Sequence, residues 1–304
     1  METVYILLST FNGQKFLDEQ IDSLYNQKNI STHLIIRDDG SSDDTVAIIE
    51  KWVNKYPSWI TFLKGSNIGF ACSFANLVSN ALNLYPKAQY FAFCDQDDVW
   101  LPDKLNKAVN ILNKLPSTIP TLYFSNSTVV DSNLEPICLF WKANEVRPSK
   151  EGALIQNFAQ GCTEVFNRHA ASMFVDHFTE DVKLHDYFIY LQCIFLGKVI
   201  YDESSYLLYR QHGNNQIGKK TKIRKIVNLF RSRILKGDCY NRCYLFLEKY
   251  KTLLSTKDIL MISVILNYKK SPLYKLALLF NSKFKYTNYE SNTLLKIKII
   301  LNWL

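Results

Sequence analysis

Short apolar runs alternate with amphipathic segments four times in about 115 residues, and this alternation constrains the fold more than any other feature of the sequence. The runs have the length of buried strands, whereas the segments between them repeat apolar residues at intervals of three and four, which is helical spacing. Strands that alternate with helices predict an α/β fold with a doubly wound, mostly parallel sheet, helices on both faces and right-handed crossovers. The four predicted strands span residues 4–9, 33–36, 60–63 and 91–94.

Acidic residues follow the second and the fourth predicted strand at the point where each strand ends. Two of them stand at 38–39 and three at 95–98. The carboxyl ends of parallel strands share one edge of a sheet, where open α/β sheets bind their ligands, so we expect both groups to border one cleft. Three neighbouring carboxylates repel one another unless a divalent cation lies among them. The alternative is that Asp98 or Asp103 merely caps the helix that follows.

The charge of the chain is divided unevenly along its length. Residues 219–304 carry 19 Lys and Arg against 4 Asp and Glu, whereas residues 1–218 carry 17 against 24. Apolar residues between 223 and 234 repeat at three and four among basic ones, which predicts an amphipathic basic helix. We therefore predict an α/β domain at 1–218, with halves at 1–115 and 116–218, and a basic helical C-terminal region at 219–304.

Three features argue against other classes of protein. The seven cysteines are an odd number without a Cys-x-x-Cys pair, so we expect reduced cysteines rather than a disulfide framework or a zinc site. Glu2 stands where a secretory signal carries positive charge, and the apolar run after it is too short for such a signal. The longest apolar segment, at 259–266, is far shorter than the roughly 20 residues that span a bilayer, so we expect no transmembrane helix.

Six short motifs, taken together and in order, resemble glycosyltransferase family 2, whose members are inverting enzymes with the GT-A nucleotide-sugar fold. The resemblance covers residues 3–218 and does not extend to the basic region. The forms Asp-Gln-Asp-Asp-x-Trp and Tyr-Arg-Gln-His-Gly-x-Asn resemble the rhamnosyltransferase-like branch of the family. The motifs are Ser9-Thr10-Phe11-Asn12-Gly13, Arg37-Asp38-Asp39-Gly40-Ser41-Ser42-Asp43, Asn67-Ile68-Gly69-Phe70, Asp95-Gln96-Asp97-Asp98-Val99-Trp100, His185-Asp186 and Tyr209-Arg210-Gln211-His212-Gly213-Asn214-Asn215.

The resemblance implies a nucleotide-diphosphate sugar as donor and a divalent metal ion, Mn²⁺ or Mg²⁺, at the acidic motif. Breaking the bond between the anomeric carbon and the diphosphate builds negative charge on the leaving group, which a metal ion offsets. By resemblance, Asp97 is the direct metal ligand, and Asp95 either binds the ribose or reaches the metal through water. His212 is expected to complete the metal shell or to bind the diphosphate beside Arg210. Asp98 either holds the donor sugar or caps the next helix.

Further donor-side residues follow from the same resemblance. Asp39 resembles the family's aspartate that accepts a hydrogen bond from the pyrimidine base, with Asp38 as the fallback. Local turn formation is the alternative for both. Phe11 stands where the family often has Tyr, so a hydroxyl contact is lost there, and simple packing is its alternative role. Gly69 lacks a side chain and lets the backbone approach the nucleotide. The remaining donor-side positions are Ser9 and Asn67.

Inverting transfer needs a base that accepts the proton of the acceptor hydroxyl. Asp186 matches the family's catalytic aspartate, although an acid in the first turn of a helix is also what the helix dipole favours. His185 is expected to orient Asp186 or to contact the acceptor. Trp100 is expected on the acceptor side as well.

We therefore predict a metal-dependent inverting glycosyltransferase that moves a sugar from dTDP-L-rhamnose or a UDP-hexose to a glycan acceptor in bacterial surface polysaccharide synthesis. The acceptor is expected to be polyprenyl-linked and the enzyme to be cytoplasmic, peripheral at the inner face of the cell membrane, with its basic region on anionic lipid. A protein partner, a second protomer as in a homodimer, and nucleic acid bound by interleaved Tyr and Lys are the alternatives for that region, and we do not expect nucleic acid. The alternative functions are a nucleic-acid or membrane-binding protein on a degenerate GT-A scaffold and a sugar nucleotidyltransferase, for which we find no Gly-rich triphosphate loop.

Overall fold

The structure, a computed structural model, describes residues 2–211, 238–287 and 289–304. The predicted domain boundary at residue 218 and the predicted amphipathic helix at 223–234 lie outside these residues and stay predictions.

The described residues form two units. The first unit contains the chain up to Ala143 together with Ala159–Arg210. The second unit contains Asn144–Phe158 together with the described residues from Gln211 onward. The short segment Asn144–Phe158, which the sequence pattern places in the middle of the α/β domain, thus groups with the C-terminal helices.

Nine strands and eleven α-helices form the regular structure of the described residues. The strands are β1 Thr3–Thr10, β2 Ser31–Asp38, β3 Ile60–Lys64, β4 Tyr90–Cys94, β5 Val99–Trp100, β6 Thr121–Val130, β7 Pro136–Leu139, β8 Val165–Asn167 and β9 Lys198–Arg210. The helices are α1 Leu17–Tyr25, α2 Thr45–Lys55, α3 Phe70–Leu84, α4 Lys104–Leu112, α5 Lys150–Ile155, α6 Arg168–His177, α7 His185–Leu196, α8 Asp238–Tyr250, α9 Thr256–Asn267, α10 Pro272–Phe280 and α11 Tyr289–Ile300. One turn of 3-10 helix spans Gly161–Thr163.

All nine strands belong to one sheet in the first unit, with the order β3-β2-β1-β4-β8-β6-β9-β5 and β7 paired to β6. The first four strands in sequence are parallel neighbours, as the alternation of strands and helices predicts. Beyond β4 the sheet is mixed, because β8 is antiparallel to both β4 and β6, whereas β9 is parallel to β6. The predicted α/β fold with a mostly parallel sheet is confirmed.

The strands at the centre of the sheet are buried on both faces, as expected where helices cover each side. In β1 the side chains of Ile6, Leu7 and Leu8 are all inaccessible to solvent, although successive residues point to opposite faces. Helix α3 contributes one apolar stripe to this core, which includes Phe74 and Leu77. Full burial of a side chain of this size stabilises the fold by about 1.5–3 kcal/mol.

The second unit is helical. Its helix α9 begins at a capped N-terminus, where the Ser255 hydroxyl oxygen accepts a hydrogen bond from the backbone N–H of Asp258. The Asp258 carboxylate in turn forms an ion pair of 2.9 Å with Lys150 of α5, which ties the short inserted helix to this unit. Among the described residues, none of the helices combines the length and the apolar composition that crossing a bilayer requires.

Candidate active site

The carboxyl ends of three neighbouring parallel strands meet at one edge of the sheet. Strand β1 pairs with β2 so that Thr10 lies beside Asp38, and with β4 so that Leu8 lies beside Cys94. The acidic residues that follow β2 and β4 therefore emerge at the same edge, as the sequence pattern predicts. This edge is where open α/β sheets bind ligands.

Three carboxylates form the centre of this edge. Asp95 follows β4 directly, Asp97 comes two residues later, and Asp186 lies in the first turn of α7. Burial, together with the negative charges of Asp97 and Asp186, raises the pKa of the Asp95 carboxyl to about 7. A bound cation relieves such repulsion, and carboxylate oxygens are the ligands that Mg²⁺ and Mn²⁺ prefer. The donor set of Asp95 and Asp97 thus fits a divalent cation.

Asp98 has a structural role, because it connects the acidic motif to β9. Its carboxylate is fully buried, and its Oδ1 accepts a hydrogen bond of 3.1 Å from the backbone N–H of Arg210 at the end of β9. Burial, with the charges of Asp97 and Asp95, raises the pKa of the Asp98 carboxyl well above its usual range. The predicted capping role is wrong for Asp98, because it bonds to β9, and for Asp103, which stands at the N-cap of α4 without a side-chain hydrogen bond.

Arg210 is buried, and its guanidinium contacts protein groups on every side. Its Nε donates to the carbonyl oxygen of Asp97 at 2.9 Å, and its Nη1 donates to the carbonyl oxygen of Ser132 at 2.7 Å. Its Nη2 forms an ion pair with Glu19, and the guanidinium carbon lies 4.4 Å from the centre of the Phe16 ring. Arg210 therefore positions the acidic motif through its backbone. The geometry does not support the predicted contact of Arg210 with the diphosphate, since burial keeps the guanidinium from a ligand.

A second group of ligand atoms lies deeper in the structure. One such atom from each of Asp95, Asp98 and Cys162 lies within 4.8 Å of the other two. Burial, with the charge of Asp98, raises the pKa of the Cys162 thiol well above its usual range, so a protonated thiol rather than a thiolate stands beside Asp98. This group fits a hard divalent cation less well than Asp95 and Asp97 do. His212, the further metal ligand that the sequence suggests, lies outside the described residues.

The Asp38 carboxylate is used by its own turn. It accepts hydrogen bonds from the backbone N–H groups of Gly40 and Ser41, at 3.1 and 2.9 Å. It also accepts from the hydroxyls of Ser41 and Thr10, at 2.5 and 3.2 Å. Because a carboxylate offers about four lone-pair positions, the geometry favours the turn-forming role for Asp38 over donor binding.

The Asp39 carboxylate anchors the loop that precedes α3. It accepts hydrogen bonds of 3.0 Å from the backbone N–H groups of Ile68 and Gly69, and a third bond from Arg37. Gly69 has a φ of +82°, a left-handed conformation that favours glycine. One lone-pair position of Asp39 remains, but the residue is 3 % exposed, so the predicted bond from a pyrimidine N–H stays a prediction. The neighbouring Asn67 accepts a hydrogen bond of 3.2 Å from Gly69.

Arg37 is a site residue to which the sequence analysis assigned no role. Besides Asp39, its guanidinium donates to the Ser73 hydroxyl at 3.0 Å and to the carbonyl oxygen of Ser66 at 3.0 Å. The Ser73 hydroxyl lies 2.6 Å from that of Ser9, a predicted donor-side residue. Arg37 thus joins the end of β1, Asp39 and the loop before α3. The sequence signal for such a role was the position of Arg37 directly before the two aspartates of its motif.

Gln96 is a second residue that the sequence analysis left without a role. Its side-chain amide makes two hydrogen bonds with the backbone of Phe11, accepting from the N–H at 2.9 Å and donating to the carbonyl oxygen at 3.1 Å. A Cβ on Gly13 would stand 2.3 Å from the Gln96 Oε1, so a larger residue at position 13 would require the Gln96 side chain to move. Gln96 therefore joins the acidic motif to the β1 loop. The Phe11 ring on that loop is 44 % exposed, as a base-stacking residue requires.

Asp186 and His185 have different surroundings although they are adjacent in sequence. Asp186 is partly exposed, and its Oδ1 accepts a hydrogen bond of 2.7 Å from the backbone N–H of Tyr187. The His185 ring is buried and stacks on Phe74 with 3.8 Å between ring centres. The predicted contact of His185 with an acceptor is wrong, because aromatic rings enclose the imidazole. Asp186 remains the base candidate at the acidic centre.

Trp100 is buried to 2 % exposure, so the predicted contact with an acceptor is wrong for this residue too. The Nζ of Lys104, also fully buried, lies 3.4 Å from the centre of the Trp100 ring, and burial lowers the pKa of this ammonium to about 8.

Glu164 is buried as well, and among the described residues nothing donates a hydrogen bond to its carboxylate. Burial and the charges of Asp186 and Asp95 raise the pKa of Glu164 well above its usual range. The sequence pattern does not indicate that either Lys104 or Glu164 is buried.

The sequence model of the family described as "Glycosyl transferase family 2" matches residues 5–173. The chain belongs to glycosyltransferase family 2. It is also 30 % identical over 225 residues, 69 % of this chain and 73 % of the relative, to a protein named "dTDP-rhamnosyl transferase RfbG" from Shigella flexneri. The family and this relative make the chain a glycosyltransferase that depends on a nucleotide-sugar, with a rhamnosyltransferase among its homologues.

Solved structures of glycosyltransferases have the same fold. Residues 1-349 of S. aureus TarS, solved in complex with UDP-GlcNAc, match with a TM-score of 0.59 and 13 % identity, covering 100 % of this chain and 80 % of that one. The mannosyltransferase PcManGT from Pyrobaculum calidifontis, solved with GDP-Man and Mn²⁺, matches with a TM-score of 0.50 and 15 % identity, covering 98 % of this chain and 87 % of that one. At such identities the likeness concerns the fold alone, and it is the GT-A fold that the sequence motifs predict.

Proposed function

We propose that this family 2 protein transfers a sugar with inversion from a nucleotide-diphosphate donor to a glycan acceptor, in a single displacement at the acidic edge of the sheet. The observation that carries the proposal is the register of β1 with β2 and β4, which brings Asp95 and Asp97 to one edge of the sheet. The charge of Asp186, in the first turn of α7, contributes to the raised pKa of Asp95 at this edge. Two of these acids suit a metal–diphosphate site, and the third suits a base. Inversion needs both a base and a site for the leaving group, and these three acids would supply both at one edge of the sheet.

Asp97 and Asp95 are the residues that would hold the divalent cation, Mn²⁺ or Mg²⁺. Such a cation supplies charge stabilisation for the diphosphate that leaves. The mannosyltransferase PcManGT, which has the same fold, was solved with Mn²⁺, and this supports the choice of metal. Arg210 and Gln96 keep the acidic motif in place through the contacts described above, so that the two carboxylates need not reorganise when the donor binds.

Asp39, Phe11 and Asn67 are proposed to bind the nucleotide. The Phe11 ring is exposed at the site edge and offers a face to the base, while Asp39 accepts the pyrimidine N–H at its remaining lone-pair position. A pyrimidine nucleotide suits these contacts. We propose dTDP-L-rhamnose as the donor on the strength of the Shigella flexneri relative, with a UDP-hexose as the alternative supported by the UDP-GlcNAc complex of TarS.

Asp186 is proposed to take the proton of the acceptor hydroxyl as that oxygen attacks the anomeric carbon. It lies in the first turn of α7, where the helix dipole favours negative charge. The acceptor is proposed to be a polyprenyl-linked glycan of bacterial surface polysaccharide. The protein is proposed to work at the cytoplasmic face of the membrane, where the excess of Lys and Arg after residue 218 attracts anionic lipid.

The deciding experiment measures hydrolysis and transfer with a panel of dTDP- and UDP-sugars, with Mn²⁺ and with a chelator. We expect Asp97→Asn to abolish both activities, whereas Asp103→Asn, which changes an exposed acid a few residues away, leaves them unchanged. Asp186→Asn should lower transfer about 10²–10⁴-fold while donor affinity stays the same. Asp181→Asn, an exposed neighbour, is its control. Full activity of Asp97→Asn, or of the wild type in chelator, would refute the metal-dependent mechanism.

A further inference from the structure

Helix α10 turns its apolar side to solvent, which is the reverse of an ordinary surface helix. Leu273 is 77 % exposed and Phe280 is 79 % exposed, and Leu276 between them is half exposed. Their spacing of three and four residues places all three on one face of the helix. The opposite face is buried through Leu278.

Lys275 lies on another side of α10. It is the only charged residue of this helix, and it is partly buried. Its Nζ donates to the backbone carbonyl of Ile300 at 2.8 Å and to the side chain of Asn302 at 3.1 Å. The first bond satisfies the carbonyl of the last residue of α11, where a helix leaves its last carbonyls without partners. Rotating α10 to bury Leu273 and Phe280 would break both bonds.

The end of α11 also exposes apolar residues. The bonds of Lys275 hold this end beside α10. Ile297, Ile300 and Leu301 are each about half exposed, and their spacing of three and one places them on one side of the helix. We call the exposed residues Leu273, Leu276 and Phe280 of α10 the C-terminal apolar face.

Lysines border the C-terminal apolar face at both ends of α10. Lys269 and Lys270 are exposed just before the helix, and Lys283 and Lys285 are exposed just after it. The sequence has no Asp or Glu between residues 259 and 289. Lys283 has one acidic neighbour, Glu151 at 3.6 Å, and its side chain is still 70 % exposed. The surface is therefore apolar at its centre and positive at its margins.

We propose that the C-terminal apolar face inserts into the interfacial layer of an anionic lipid bilayer. A helix that lies in this layer buries apolar side chains below the headgroups and places basic side chains among them, which is the distribution seen here. Contiguous exposed apolar surface on a folded protein marks an interaction site, and the positive margins favour an anionic lipid surface over a second copy with the same charges. This inference rests on the proposed function in one respect: a lipid-linked acceptor requires the enzyme to meet a membrane.

The test compares binding to vesicles of phosphatidylcholine alone and of phosphatidylcholine with phosphatidylglycerol, by sedimentation. Leu273→Ser and Phe280→Ser should each weaken binding to the anionic vesicles about tenfold, and the double variant about 100-fold. Both residues are mostly exposed, so the variants should keep the thermal stability of the wild type. Leu84→Ser removes a half-exposed leucine of the first unit and should bind as the wild type does.

A second measurement detects insertion directly. In Phe280→Trp, lipids brominated on their acyl chains should quench the added fluorescence, whereas in Leu84→Trp they should not. Wild-type binding by the double serine variant, or an unquenched Trp at position 280, overturns the proposal. A dimer of the wild type in lipid-free solution that the double variant loses would also overturn it, since a second copy would then cover the face.

Hydrolysis of the nucleotide-sugar without vesicles separates this inference from the proposed function. If the wild type hydrolyses the donor but does not bind anionic vesicles, the docking surface is refuted and the enzymatic proposal stands. If it binds vesicles through Leu273 and Phe280 but hydrolyses no nucleotide-sugar, the enzymatic proposal is refuted and the docking surface stands.

Discussion

Replacing His185 by phenylalanine tests the surroundings of the predicted catalytic segment. The imidazole is enclosed by aromatic rings, with Phe74 stacked at 3.8 Å and Phe93 edge-on at 4.7 Å between ring centres. Neither ring nitrogen has a hydrogen-bond partner among the described residues. Burial lowers the pKa of the imidazole from 6.5 to about 3, because the charged form would lose its hydration without gaining a partner.

The size of the effect follows from this difference in pKa. The unfolded chain takes up a proton at His185 below about pH 6.5 and the folded chain does not, so this residue makes folding less favourable as the pH falls. Each unit of pKa corresponds to about 1.4 kcal/mol, which gives a limit of about 5 kcal/mol at the lowest pH. Between about pH 8 and about pH 5 the loss attributable to His185 is about 2 kcal/mol.

The assay is urea denaturation of the wild type and of His185→Phe from about pH 8 to about pH 5. Buried acids such as Glu164 contribute an opposite dependence to both proteins, so the difference between the two curves isolates His185. As the pH falls from about 8 to about 5, we expect the free energy of unfolding of the variant to rise by about 2 kcal/mol relative to that of the wild type. His185→Leu repeats the test with a different shape, and His169→Phe, which removes an exposed imidazole, should follow the wild type. Parallel curves for wild type and both His185 variants would refute the buried, neutral imidazole.

Two further changes probe residues that the sequence analysis left unassigned. Gln96→Ala removes two hydrogen bonds to the backbone of Phe11, each worth about 1 kcal/mol, so the donor KM should rise by up to about 30-fold in a donor-hydrolysis assay. Glu164→Gln replaces a carboxyl whose pKa is raised by burial, so the wild type loses stability relative to the variant as the pH rises above about 4.3. The variant should therefore be the more stable protein in urea at about pH 8, and the difference should vanish near pH 4.

Each of these predictions has a matched control. Gln89→Ala makes the same substitution at an exposed position and should leave the donor KM unchanged. An unchanged KM in Gln96→Ala would mean that the β1 loop keeps its position without the amide. Glu135→Gln alters an exposed glutamate and should not change the dependence of stability on pH. A Glu164→Gln variant that is less stable than the wild type at about pH 8 would show that an ionised Glu164 is held by partners such as Lys104.

The sequence predicted the parts of this protein that depend on short-range pattern. Alternating apolar and amphipathic segments predicted the parallel strands, because strand and helix each impose their own period on the residues that must be buried. The acids after β2 and β4 were expected at one edge, and the register of β1 with both strands brings them there. The order of the motifs predicted the family, which the match over residues 5–173 confirms.

The roles of single side chains depended on contacts between distant segments. Helix α7 is apolar around most of its circumference, so its periodicity does not say which way His185 faces, and the rings of Phe74 and Phe93 enclose it. Arg210 was expected at the diphosphate, but Glu19, nearly 200 positions earlier, is its partner. An apolar stripe on a helix indicates that one side avoids water without indicating what covers it. In α10 the exposed residues Leu273 and Phe280 show that the stripe faces outward, and the bonds of Lys275 to Ile300 and Asn302 accompany this orientation in the folded chain.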